Sequence, residues 1–219
     1  TLLDGFDSSK GGAVLIENAS PVLRNLDIRG NQAPKGGAVY IENSSSVFES
    51  VSLTGNYTSD FNGKGGAFYI ESSTVELDFV TVSGNFALDG GGAYIIGGGN
   101  EIVISNSIFW NNENEELKFY NVDDGSGFSG YQISFSLIDA GQSSISHNGW
   151  VNSAVYDGSN LSEYDSGDMS DEDIFINPVD PSSSNAVTEG NYHLHPESPC
   201  IAAGTDQSDM GAYAFEPIE

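Results

Sequence analysis

The sequence predicts an all-β chain folded as a parallel β-helix, and three observations carry that prediction. Gly-Gly-Ala recurs from Gly11, Gly36, Gly65 and Gly91, at spacings of 25, 29 and 26 residues. In the first three copies a Gly-Asn pair follows nineteen residues after the first glycine: Gly30-Asn31, Gly55-Asn56 and Gly84-Asn85. No segment keeps a 3.6-residue period, while β-branched residues interrupted by Ser, Asn and Gly dominate. All length variation falls between the Asn and the next Gly-Gly. One turn therefore accepts insertions and the rest of the unit is fixed, as in a solenoid whose coils stack in register.

Each coil divides into three short strands. The first holds Val14, Val39, Phe68 and Tyr94 in one column and Ile16, Ile41, Ile70 and Ile96 in another. Two-residue spacing places both columns on one face, and their apolar character makes that face the core. The alternate residues, Leu15, Tyr40, Tyr69 and Ile95 followed by Glu17, Glu42, Glu71 and Gly97, are expected to point outward. A second segment carries Val22-Leu23, Val47-Phe48, Leu77 and Ile102-Val103. A third carries Leu26 and Ile28, Val51 and Leu53, and Val80 and Val82. Three strands per ~25-residue coil imply a triangular cross-section, each strand pairing with its equivalent about 4.8 Å along the axis. Asn31, Asn56, Asn85 and either Asn111 or Asn112 should stack as an asparagine ladder. The long insertion turn at 57–64 should protrude beyond the matching turns at 32–35 and 86–90.

The pattern fades after residue 112. Residues 131–138 alternate like one more strand, 141–190 are polar and read as loop, and 191–215 read as a closing coil. The expected organisation is one domain over 1–219, with regular coils at 1–112 and irregular coils, an acidic loop and a C-terminal cap at 113–219. The chain opens at Thr1, without Met, inside what reads as an earlier coil, so it is expected to be part of a longer protein.

There are 32 acidic and 6 basic residues, and 119–219 holds 17 Asp/Glu with no Lys or Arg. Such a surface repels nucleic acid and anionic membranes. No 18-residue apolar run is present, so no helical membrane insertion is expected. The single Cys200 cannot form an internal disulfide and is expected to be a buried, inert thiol.

The Gly-Gly-Ala…Gly-Asn coils resemble the repeats of right-handed parallel β-helix proteins, including polymorphic outer-membrane proteins. The end of the chain is similar to that of large secreted bacterial β-helix proteins: Asn177-Pro178-Val179-Asp180-Pro181, Asn191-Tyr192-His193-Leu194, Ser198-Pro199-Cys200-Ile201-Ala202-Ala203-Gly204, then Asp209-Met210-Gly211-Ala212-Tyr213. Ala202 stands where that pattern usually has Asp. The resemblance implies a right-handed helix and secretion or surface display. Because such proteins include enzymes and non-enzymes, it does not choose an activity.

Candidate sites are few, and no catalytic residue is assigned. Arg24 and Arg29 lie in one coil, outside any basic cluster. Lys10, Lys35 and Lys64 precede each Gly-Gly as a column. Tyr40, Tyr69, Glu42 and Glu71 form an outward strip able to stack on a sugar and hydrogen-bond its hydroxyls, or to meet a neighbouring domain. Asp165, Asp168, Asp171 and Asp173 crowd one loop with hard oxygen donors suited to Ca²⁺. The leading expectation is a non-catalytic extracellular module for adhesion, spacing or contact with polysaccharide or neighbouring subunits. A polysaccharide lyase or glycoside hydrolase, and a self-assembling filament subunit, are the alternatives.

Overall fold

The computed structural model describes residues 1–58, 61–120, 130–148, 153–161 and 170–215, apart from the side chains of 171 and 172. The chain is a parallel β-solenoid of about 5 turns. One wall is a six-stranded sheet of Val14–Glu17, Val39–Glu42, Phe68–Glu71, Ala93–Ile96, Leu117–Tyr120 and Ile145–Asn148, every neighbour parallel. The other two walls belong to one nine-stranded sheet. Its main path runs through Leu2–Leu3, Val22–Arg29, Ser45–Thr54, Thr74–Ser83, Glu101–Ser105, Gly130–Ser134 and Ser153–Tyr156. Ile108–Trp110 and Leu137–Ile138 continue its far side.

In three coils the expected second and third strands run on as one, Val22–Arg29, Ser45–Thr54 and Thr74–Ser83, with pairing skipped only at the bend; in the next two they are separate, Glu101–Ser105 with Ile108–Trp110 and Gly130–Ser134 with Leu137–Ile138. The bend is a column of left-handed residues: Asn25 (φ 53°), Ser50 (55°), Phe79 (53°), Asn106 (51°) and Phe135 (47°). One such residue turns the chain while its neighbours stay extended. Asn tolerates the conformation; for Phe79 and Phe135 it is strained and is held by strand pairing on both sides.

The fourth coil corrects the expected register. Three consecutive glycines, Gly90, Gly91 and Gly92, offer two ways to place the Gly-Gly, and the chain uses Gly90-Gly91. Gly90 (φ 61°) takes the left-handed place of Gly11, Gly36 and Gly65. A Cβ there would lie 2.6 Å from the Ala93 carbonyl oxygen, repeating the 2.0–2.4 Å approaches at the three earlier glycines. The true spacings are therefore 25, 29 and 25 residues. Ala93 pairs with Phe68, Tyr94 with Tyr69, Ile95 with Ile70 and Ile96 with Glu71. Ile95, not Ile96, joins the isoleucine stack, and Tyr94 leaves the core column for the outer face. This register sets Ile95 in the apolar stack at 0 % exposure and frees the Tyr94 phenol for polar partners. The solenoid also continues past 112, with Phe119 and then His147 extending the isoleucine column.

Of the insertion turn, Phe61 is 95 % exposed, while Tyr57–Thr58 pairs with Gln32–Ala33 and bridges to Phe86. The C-terminal segment, expected as a cap, lies along the flank. Val187 donates its N–H to the Gly55 carbonyl at 2.7 Å, Thr205 donates to Asn106 Oδ1 at 2.8 Å, and Ala212 donates to Thr81 Oγ1 at 2.9 Å. A second apolar core forms beneath it, in which Ile108, Trp110 and Leu137 of the solenoid meet Phe175, Tyr192, Leu194, Cys200 and Met210. Burial pushes the Cys200 thiol up to about 12, so it is no nucleophile at neutral pH.

Candidate functional site

The strip singled out from the sequence is assembled, and longer than expected. Tyr40, Tyr69, Tyr94 and Tyr120 stack along the outer face of the six-stranded sheet, with ring centroids 5.0, 5.5 and 5.9 Å apart. The lysine preceding the Gly-Gly in the first three coils folds over the tyrosine of the next coil: Lys10 lies 4.5 Å from the Tyr40 centroid, Lys35 5.0 Å from Tyr69 and Lys64 4.7 Å from Tyr94. Such ammonium–ring contacts contribute about 0.5–2 kcal/mol each, more when desolvated. Lys10 also pairs with Glu17 and reaches Glu42 at 3.3 Å. The Tyr40 hydroxyl donates to Glu71 Oε2 at 3.0 Å and Glu42 Oε2 at 3.3 Å. Stacked like charges are thereby interleaved with rings and counter-charges.

That arrangement covers the rings. Tyr40 is 4 % and Tyr69 2 % exposed, so neither offers an open face to a sugar. Outward-pointing residues are buried here because the lysine stems lie across them. Burial foremost, then the Glu71 hydrogen bond, raises the Tyr40 phenol. Burial, then the charges of Glu71 and Glu42, pushes Tyr69 up to about 12. Neither phenol exchanges a proton near neutral pH. Glu42 and Glu71 remain half-buried at the rim of the strip.

The asparagine ladder forms as expected and resolves the ambiguity in favour of Asn112. Asn56 Oδ1 accepts from the Asn31 backbone N–H (3.0 Å) and Nδ2 (2.9 Å); Asn85 and Asn112 repeat this one coil on. The next equivalent position is Gly141, which has no side chain. Glu116, 3 % exposed, fills that role: Oε1 accepts the Asn112 N–H at 3.0 Å and Oε2 accepts Nδ2 at 2.5 Å. Two further ladders escaped the sequence reading. Ser44, Ser73 and Asn100 each accept a backbone N–H from the preceding coil, as do Ser107, Ser136 and Asn160.

Of the acidic group, Asp165 and Asp168 lie outside the described residues, as does the Asp171 side chain. The Asp173 carboxylate accepts from the Ser170 N–H and hydroxyl, both at 2.8 Å, which lowers its pKa. Among the described residues no group of three or more His, Cys, Asp or Glu could hold a metal ion. Arg24 pairs with Glu49 at 2.5 Å and Arg29 with Asp27. One open polar groove of about 470 Å³ runs across the first corner of successive coils, lined by Asn18, Asn43, Ser45, Ser72, Thr74 and Gly99 among others.

No protein-family profile, curated protein or solved structure matches this chain.

Proposed function

We propose that the chain is a non-catalytic, rigid module of a secreted or surface protein that holds its neighbours at a fixed spacing. The observation supporting this most strongly is the covered lysine–tyrosine–glutamate strip. Side chains able to do chemistry are spent joining one coil to the next, and the three polar ladders use the corner asparagines and serines in the same way. A stiff rod with satisfied corners suits spacing. The resemblance of its motifs to large secreted β-helix proteins supports an extracellular setting.

A panel of acidic and neutral polysaccharides, assayed with and without calcium for unsaturated products and new reducing ends, should show no turnover. Turnover abolished by changing one Asp or Glu to its amide would overturn the proposal in favour of a lyase or hydrolase, since two carboxyl groups suffice for glycoside hydrolysis.

The polar groove favours a second reading, carbohydrate contact, because backbone corners and short Asn, Ser and Thr side chains can hydrogen-bond sugar hydroxyls. Glycan binding lost on Ser45→Tyr, with folding intact, would support it. The acidic loop is proposed as a Ca²⁺ site. Binding to the folded chain alone adds about 2.7 kcal/mol at a hundredfold excess over Kd. An unchanged melting temperature in millimolar calcium, at constant monovalent salt, would exclude such a site.

A further inference from the structure

The corners of the solenoid differ in how their polar side chains are used. At the bend, Asn106 Nδ2 donates to Asp78 Oδ1 at 2.8 Å and its Oδ1 accepts from Thr205. At the next corner the asparagine ladder is paired from coil to coil. The first corner, which carries the polar groove of about 470 Å³, is different. Its left-handed column, Asn18 (φ 52°), Asn43 (49°) and Ser72 (47°), forms one wall. Ser20, Ser45 and Thr74, two residues on in each coil, form the other. Among the described residues none of these six side chains has a hydrogen-bond partner, and all but Thr74 are exposed. The groove faces sideways along three coils and is not an end of the stack.

What the groove can hold follows by elimination. Its floor, Ala19 and Ser44, is fixed: the Ser44 hydroxyl donates to the Glu42 carbonyl at 2.7 Å and accepts the Ala19 N–H at 3.1 Å. Backbone N–H groups along it already donate to neighbouring coils, Asn18 to Glu42 and Asn43 to Glu71 at 3.1 Å, Ser45 to Ala19 at 3.0 Å. An extended peptide therefore finds no free strand edge to extend. No lining side chain is larger than Asn, so a hydrophobic ligand gains little apolar contact. None is charged, and a body of net charge −26 repels anionic polymers. Neutral chains rich in hydroxyls remain. Asn amides and Ser or Thr hydroxyls each donate and accept, as sugar hydroxyls do. The walls repeat every coil, about 4.8 Å, close to the length of one unit in an extended sugar chain. The fourth coil interrupts the pattern. Between Ile96 and Glu101 it has four residues where the paired Glu71 and Thr74 enclose two, and Gly99 lines that end of the groove.

We propose that this groove binds a neutral, extended polysaccharide lying parallel to the solenoid axis, one sugar unit per coil. The proposal rests on the carbohydrate-contact reading above and narrows it to a substrate class and a direction. Each unit meets Asn18, Asn43 or Ser72 on one side and Ser20, Ser45 or Thr74 on the other. The groove holds no aromatic ring on which a sugar could stack. A single unit is therefore held weakly, and binding depends on several coils engaging one chain at once.

Titrating the ¹⁵N-labelled chain with glucose, with neutral β-linked trisaccharides of glucose, xylose and N-acetylglucosamine, and with trigalacturonate tests this. A neutral trisaccharide should bind with a Kd of about 1 mM and shift the side-chain amide signals of Asn18 and Asn43, while glucose and trigalacturonate leave them in place. Asn18→Gly and Asn43→Gly each remove an amide yet keep a backbone that glycine adopts readily. Each should weaken trisaccharide binding about 2- to 10-fold, with an unchanged circular dichroism spectrum showing that the variant folds. Glucose binding as tightly as the trisaccharides would overturn the unit-per-coil arrangement. Trigalacturonate binding as tightly as they do would overturn the neutral class while leaving carbohydrate contact standing. Binding untouched by the two substitutions together would put the glycan elsewhere and overturn the site. No binding by any sugar up to about 20 mM would overturn both this proposal and the reading beneath it.

Discussion

Replacing Asn85 with alanine should remove a rung from the middle of the asparagine ladder and destabilise the chain by about 3–5 kcal/mol. Asn85 is fully buried. Its Oδ1 accepts from both the backbone N–H and Nδ2 of Asn56, each at 2.9 Å. Its Nδ2 donates to Asn112 Oδ1 (2.8 Å), the Leu53 carbonyl (2.9 Å) and the Ser83 carbonyl (3.2 Å). In the alanine variant the Asn56 N–H, buried and aimed at Asn85, loses its acceptor, which costs about 1–3 kcal/mol, and the lost amide donations cost about 0.5–1.5 kcal/mol each. In a chain of this size the sum corresponds to a melting temperature lower by roughly 10 °C. Urea and thermal unfolding, with exposed Ser20→Ala as a control expected within about 0.5 kcal/mol, would measure it. Asn85→Asp sharpens the test. It keeps the acceptor but turns a second oxygen toward three acceptors, so burial and repulsion should raise the new carboxyl above its ordinary range. A raised carboxyl is tolerated while protonated, and its stability is lost as pH rises through the folded pKa. Asn85→Asp should therefore recover toward wild type on acidification, and Asn85→Ala should not. A loss below about 1 kcal/mol in Asn85→Ala, or no pH dependence in Asn85→Asp, would show that the ladder is tidy geometry with little energetic weight.

Two further outcomes follow from the register and from the far end of the core. Ile95→Ala should cost about 2–5 kcal/mol as a cavity, and Ile96→Ala, on the outer face, about 1 kcal/mol; the reverse order in urea melts would reinstate the original alignment. His147 stacks on Phe119 and Tyr131 with its outer side exposed, and the partial desolvation lowers its pKa. The unfolded chain then takes up the proton first as pH falls, so the stability contributed by neutral His147, intact above about 6.5, is lost on acidification below it. The melting temperature of wild type relative to His147→Phe should decline between about pH 7.5 and 5.5, and parallel pH curves for the two would refute this.

The regular coils were legible because each position recurs at a fixed offset: Ile16, Ile41 and Ile70, and Asn31, Asn56 and Asn85, need only counting. Reading failed where local sequence is degenerate. Gly90-Gly91-Gly92 permits two registers, and the choice is made by what fits inside, which no local pattern records. The ladders through Ser44 and Ser107 were hidden by the abundance of serine and by uneven spacing. Alternation correctly turned Tyr40 and Tyr69 outward, yet it could not show that Lys10 and Lys35 fold back over them. The flanking course of the C-terminal segment was the least accessible, since Thr205 and Ala212 meet Asn106 and Thr81 across 99 and 131 residues of chain.

That flanking segment changes what kind of object the solenoid is. A bare stack of coils has only nearest-neighbour coupling, and it can fray from either end, one unit at a time. Here a single later stretch of chain touches several coils: Thr188 stands against Gly30, Val187 against Gly55, Val179 and Tyr192 against Gly84, and Gly204 against Asn106. Loosening any of these coils strips part of the strap, and releasing the strap bares the side of all of them. The stack should therefore melt as one cooperative body. During synthesis the order is reversed: the coils emerge first with Ile108, Trp110 and Leu137 uncovered, and they must wait until Ile174 to Met210 have been made before they are concealed. Folding of these coils is thus closed by a segment made well after them, a long-range step that is slow for topological reasons.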